Sequence, residues 1–190
     1  GASGTTPPSG EKLRDLISDR FLGGKLKTKT LSQVAEYAKS EASLPDVQQF
    51  IRDIYLPFQP ADFHLLVPLF RWYAIVTTNF DLILERAYEQ CKDRQQSLSP
   101  ILQDGDRFSD ILRDPLQVPF LKLHGCITHV SDPNLPLILA SEEYAKHRNN
   151  RERLFRHFQD WARERPVIFC GYQIEDANIQ QILFDLTDLG

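Results

Sequence analysis

Apolar residues follow two different periods along this chain, and the changes of period mark its elements. Over 73–76 an apolar, partly β-branched run ends abruptly at Thr77, Thr78, Asn79 and Asp81; Leu82, Ile83, Leu84 and Ala87 then follow with helical spacing over 82–93. A buried strand that stops at polar residues and turns into a helix is how an open α/β sheet builds a ligand site. A second short apolar run, 118–125, ends in His124-Gly125. Residues 135–140 form a further strand candidate, and 166–172 reads as a last strand ending at Gly171-Tyr172.

Helical patterns fill most of the remainder. Apolar residues at 13, 16, 17 and 21 predict an amphipathic first helix. Helices are predicted over 30–42, 45–55 and 60–70, the first with Thr30 as cap and Gln33 in the capping-box position. The glycine hinge and basic run at 23–29 read as a solvated loop, and 95–114 as polar and irregular. Ser141 is a good helix cap. Over 147–165 an apolar stripe (Leu154, Phe155, Phe158, Trp161) runs beside His147, Arg148, Arg151, Arg153, Arg156, Arg163 and Arg165, which predicts an exposed basic face over a core-facing stripe; docking of that face to a partner domain or to nucleic acid is the alternative. A final helix is predicted from Ile174 through Leu186.

No strand signal occurs between 24 and 70, too long a stretch for one crossover, so it is expected to be a helical insertion between the first and second strands. Residues 1–10 are a Gly/Ser/Thr/Pro loop leading into a helix, which can cradle a phosphate on free backbone N–H groups; an ordinary tail is the alternative. Such a loop needs a strand before it, and none is present. The expectation is therefore one domain, 1–190, from a longer protein: an α/β fold with a Rossmann-like parallel sheet flanked by helices, its first strand missing.

Composition narrows the function classes. The 190 residues, 42% apolar and 25% charged, suit a soluble globular domain, and the net charge of −4 makes direct nucleic-acid binding unlikely. No apolar run reaches the roughly 20 residues that span a bilayer. Cys91, Cys126 and Cys170 are odd in number and widely spaced, against a disulfide framework or a structural zinc site, and a cytoplasmic location fits. Cys126 and Cys170 are expected to be small buried hydrophobes.

Taken in order, the small-residue loop, Thr77-Thr78-Asn79-Phe80-Asp81, His124-Gly125 and Gly171-Tyr172 are more specific than any one alone. This order resembles the sirtuin family, most closely the sirtuin-like branch of bacterial antiphage defence proteins. Gly1-Ala2-Ser3 looks like the second half of the family's Gly-Ala-Gly-x-Ser loop. Residues 77–81 look like its Thr-x-Asn-x-Asp motif, and His124-Gly125 matches its His-Gly. Residues 171–179, with Gly171, Tyr172, Asp176 and Asn178, are similar to the Gly-Tyr-Ser-x-x-Asp-x-Asn-Ile ending of the defence branch.

The resemblance implies NAD as substrate. Asn79 would contact the ribose or position water at its anomeric carbon. His124 would be the acid/base group on the ribose hydroxyls, and Asp81 would help hold the carboxamide or the nicotinamide pocket; a cap of the helix that follows is the alternative for Asp81. Gly1, Ala2, Ser3, Thr77, Thr78, Gly125, Gly171, Tyr172 and Asp176 would line the NAD site. The four-cysteine zinc module of deacetylating sirtuins has no counterpart here, so no metal is expected and water becomes the favoured acceptor. The expected activity is NAD hydrolysis in antiphage defence, by a homo-oligomer joined to further domains or an activator. Deacylation, ADP-ribosyl transfer and non-catalytic NAD sensing are the alternatives.

Overall fold

The computed structural model describes residues 6–105, 108–139, 150–171, 179, 180, 183 and 184. Up to residue 70 every regular element it describes is helical, as the missing strand signal predicts. Helix α1 (Gly10–Phe21) begins at Ser9, whose hydroxyl accepts from the Lys12 amide at 3.3 Å. Helix α2 (Leu31–Glu41) opens with the expected capping box: Thr30 Oγ1 accepts from the Gln33 amide at 3.2 Å, and Gln33 Oε1 from the Thr30 amide at 3.1 Å. Helix α3 (Leu44–Tyr55) is capped by Ser43 and carries Pro45 in its first turn, where a missing N–H leaves no bond unmade. The helix expected over 60–70 is instead a 3-10 segment, His64–Leu69; Pro68 within it has no amide to continue an α-helix.

The apolar stripes of α1, α2 and α3 meet in one core. Leu13, Ile17, Val34, Ala38, Val47, Ile51 and Tyr55 pack there with Ile127 and Leu137, which come from much later in the chain. The helical layer is thereby built onto the segment that follows the sheet.

Among the described residues the sheet has three parallel strands: β1 (Ile75–Thr77), β2 (Ser97–Ile101) and β3 (Gln117–Lys122), in the order β1-β3-β2. β3 is central and buried from Val118 to Lys122, as expected of a parallel strand covered on both faces. Pro119 precedes the stretch paired with β1, so it lies where β3 has a single strand neighbour and a proline is tolerated. Helix α4 (Ile83–Gln90) follows β1, and α5 (Phe108–Arg113) lies between β2 and β3. A short 3-10 turn, Ile127–His129, comes after β3, and α6 (Glu152–Glu164) closes the main fold. The predicted stripe of α6 is buried: Leu154 and Phe158 pack with Ile101, Leu121, Leu123 and Ile179, and Phe155 and Trp161 lie against the same cluster. Residues 179, 180, 183 and 184 of the expected final helix are helical; 174–178 lie outside the described residues, as do Ser141 and the helix start expected there.

Five further expectations are corrected. Residues 95–114 are not irregular, because they contain β2 and α5; β2 was hidden by Pro100 and two serines, a composition suited to a partly exposed edge strand. Residues 135–139 form no strand. They are apolar because Leu135, Pro136, Leu137 and Ile138 are buried as an irregular segment, held by the Leu137 amide on Gln48 Oε1 at 3.2 Å and the Ile138 amide on the His124 carbonyl at 3.0 Å. Residues 166–171 form no strand either. Val167, Ile168 and Phe169 are exposed (Ile168 at 70%), and Cys170 is exposed rather than buried, whereas Cys126 is buried as expected. Arg153, Arg156, Arg163 and Arg165 do face solvent, but Arg151 is 1% exposed. It sits at the cap position of α6 with φ −133° and turns inward, off the helical face that spacing assigned to it. His147 and Arg148 lie outside the described residues.

The N-terminus of α6 is capped from a distant loop. Asp104, just past β2, accepts from the Arg153 amide at 2.9 Å and the Leu154 amide at 3.1 Å. Its negative charge also suits the helix dipole. Asp104→Ala should therefore lower stability by about 1–2 kcal/mol, read as a lower urea midpoint with unchanged slope, and Asp104→Asn should lose less.

Candidate functional site

The site is built where β1 and β3 end side by side. Thr77 and Lys122 are the last paired residues. One more bond continues the ladder, from the Leu123 amide to the Thr77 carbonyl at 2.9 Å. Both chains then leave the sheet at the same edge, β1 as Thr78–Asp81 and β3 as His124-Gly125. The structure thus brings together Thr77, Thr78, Asn79, Asp81, His124 and Gly125.

The turn after β1 is fixed by its own side chains. The Asn79 amide donates to Thr77 Oγ1 at 3.0 Å, and Asp81 Oδ1 accepts from the Ile83 amide at 2.9 Å as α4 begins. Asn79 points to solvent, while Phe80 beside it turns inward. The Phe80 ring meets Tyr55 edge-on at 5.6 Å, and its carbonyl accepts from the Ile127 amide at 3.0 Å. Burial, with a smaller contribution from the Asp81 carboxylate, pushes the Tyr55 phenol above its usual range. It therefore stays protonated and donates to the Pro8 carbonyl at 3.0 Å.

The turn after β3 needs its glycine. Gly125 has φ +92°, and an added Cβ would lie 3.0 Å from the Pro136 carbonyl oxygen and 3.5 Å from Arg151 Nη2. Arg151 spans this turn, with Nη2 donating to the Pro136 carbonyl at 2.8 Å and Nη1 to the Leu123 carbonyl at 3.3 Å. Burial lowers its pKa to about 10, so the guanidinium is still charged at neutral pH. His124, half-buried, follows directly from Leu123.

A second buried cation lies on the other side. Lys122 Nζ is 2.6 Å from Glu85 Oε1 on the first turn of α4, donates to the Asp81 carbonyl and lies 5.5 Å from the centre of the Phe120 ring. Sequence reasoning did not single out Lys122, Glu85 or Arg151 as parts of the site. The visible signal was Lys122, a lone charge inside an apolar strand two residues before a histidine.

The arrangement offers an exposed carboxamide, a carboxylate and a half-buried imidazole at one sheet edge. These groups can hydrogen-bond sugar hydroxyls and exchange protons with them. Gly171 ends an irregular exposed segment, with φ +62°, rather than a strand of the sheet. Gly1, Ala2, Ser3, Tyr172 and Asp176 lie outside the described residues. Among the described residues no group of three or more His, Cys, Asp or Glu is placed to hold a metal ion, and no helix is long and apolar enough to cross a membrane.

Gly125→Ala should destabilise the fold by about 1–3 kcal/mol, because a left-handed conformation and a blocked Cβ act together. Thermal unfolding would read it as a lower Tm, and Gly105→Ala, where nothing lies within 4 Å of the added Cβ, should cost less.

No curated protein matches the chain. The family of the SIR2-like domain matches residues 73–189, beginning just before β1 and taking in both motif turns, while the helical layer before it lies outside the match. This family consists in general of NAD-dependent enzymes, in keeping with the likeness of the two motif turns to those of sirtuins. With more than half of its length matched, including both strand ends that carry the candidate groups, the chain belongs to the SIR2-like domain family.

Proposed function

We propose that the chain is an NAD glycohydrolase domain that cleaves the nicotinamide–ribose bond. The observation that carries this reading is the placement of Asn79 and His124 on neighbouring strand ends joined by the Leu123–Thr77 bond. Membership of a family of NAD-dependent enzymes supports NAD as the substrate.

In the reaction, water adds to the anomeric carbon as nicotinamide leaves, giving ADP-ribose and a proton. The transition state is oxocarbenium-like, as in glycoside hydrolysis, and is helped by oriented polar groups and an acid/base near the sugar. Asn79 positions the ribose or the water, and His124 exchanges a proton with the ribose hydroxyls. Asp81, whose Oδ1 already serves the Ile83 amide, turns its other oxygen to the nicotinamide carboxamide. Thr77, Thr78 and Gly125 line the ribose side; Gly1, Ala2, Ser3, Gly171, Tyr172 and Asp176 complete the dinucleotide site.

Only three cysteines occur, so the zinc module of deacetylating sirtuins has no ligand set in this chain. This favours water as acceptor. The likeness of 171–179 to the defence branch supports a place in antiphage defence, in the cytoplasm, as a homo-oligomer with further domains or an activator.

The test is incubation of the intact, activated protein with NAD. Nicotinamide and free ADP-ribose should appear in equal amounts, and Asn79→Ala and His124→Ala should each lower kcat by about 100-fold or more while leaving the far-ultraviolet dichroism unchanged. Acyl-ADP-ribose or modified protein as product would replace hydrolysis by transfer. Tight NAD binding without turnover would make the domain a sensor.

A further inference from the structure

Lys122 is fully buried at the end of an apolar strand. An ammonium withdrawn from water is costly unless it is paired and hydrogen-bonded. Here it reaches two partners on one neighbouring segment: the Asp81 carbonyl, at the end of the turn that carries Asn79, and the Glu85 carboxylate, four residues on in α4. The pair is not ideal for stability. Glu85 Oε2 is buried and has no hydrogen-bond partner among the described residues, and such pairs are often no better than well-packed apolar side chains. What the ammonium does supply is a fixed distance. It links β3 two residues before His124 to the far end of the Asn79 turn, whose near end is already tied to β3 by the Leu123–Thr77 bond.

We propose that Lys122 is a positioning residue, whose ammonium clamps the 78–81 turn to β3 and so sets Asn79 against His124. The catalytic consequence rests on the NAD hydrolysis reading; the clamp itself does not. Lys122→Met keeps the apolar stem and removes the ammonium. Glu85→Gln keeps a hydrogen-bond acceptor and the Asp81 link but removes the counter-charge.

Two readouts on the intact protein test the clamp. In Lys122→Met, kcat for NAD should fall tenfold or more with KM within threefold, and Glu85→Gln should fall less. Amide exchange over 78–83 should accelerate at least tenfold in Lys122→Met while 117–121 keep wild-type protection. A variant whose Tm falls but whose kcat per folded molecule stays within twofold, with exchange over 78–83 unchanged, would overturn the proposal. If the wild type cleaves no NAD, the hydrolysis reading fails and the exchange arm alone decides: acceleration confined to 78–83 upholds the clamp, and uniform or absent acceleration removes it. If Lys122→Met does not fold, the same exchange comparison on Lys122→Gln, which keeps a polar group but is too short to reach the Asp81 carbonyl as the ammonium does, decides in the same way.

Discussion

The site depends on the pairing of β1 with β3 and on its one-residue extension, the bond from the Leu123 amide to the Thr77 carbonyl. β3 is buried from Val118 to Lys122, so its register is tightly specified; a slip of one residue would turn Leu121 and Leu123 out of their cluster with α6. Once that register is set, the two strands must end at the same level. Polar residues that would be unremarkable after a single strand then lie on two adjacent turns at one sheet edge, with Asn79 on one turn and His124 on the other.

The legible parts of the fold were those whose signal is local. The Thr30–Gln33 capping box, the stripe of α6 and the polar ends of β1 and β3 were all readable from spacing. The misread parts are those where burial and secondary structure separate. An apolar run shows that a segment is covered, and says less about whether its backbone joins a ladder. Residues 135–139 are covered without pairing to a strand, and Val167–Phe169 are apolar yet exposed. β2 pairs along its length with few apolar residues, since an edge strand needs only part of its surface buried. In the site, the two motif turns could be read, but the cations that hold them could not. Arg151 precedes the helix whose periodicity seemed to place it, and Lys122 finds its partners, Asp81 and Glu85, about forty residues earlier in the chain.

The helical layer also takes part in the site. Phe80 and Asn79 are adjacent and face opposite ways, so anchoring one aims the other. Phe80 is anchored on Tyr55 of α3, and Tyr55 is tied through its hydroxyl to Pro8 ahead of α1. On the other turn, Gln48 of α3 holds the Leu137 amide, next to the Pro136 carbonyl that Arg151 bonds. The first three helices therefore buttress both turns from behind, although the family match begins only after them.

Two buried cations flanking one histidine are explained by backbone accounting. A site at strand ends is made of irregular segments, here 78–82, 123–126 and 135–138, of which 123, 125, 126 and 135–138 are buried. Each such carbonyl needs a donor. A neutral side chain supplies one or two, whereas a guanidinium supplies five and an ammonium three. Arg151 serves Leu123 and Pro136 at once, and Lys122 serves Asp81 while pairing with Glu85. An apolar replacement of either cation would leave those carbonyls without their donor, a cost separate from the modest worth of the Lys122–Glu85 pair itself. Where the backbone around His124 leaves the regular ladder, the two cations supply hydrogen bonds that the ladder no longer does.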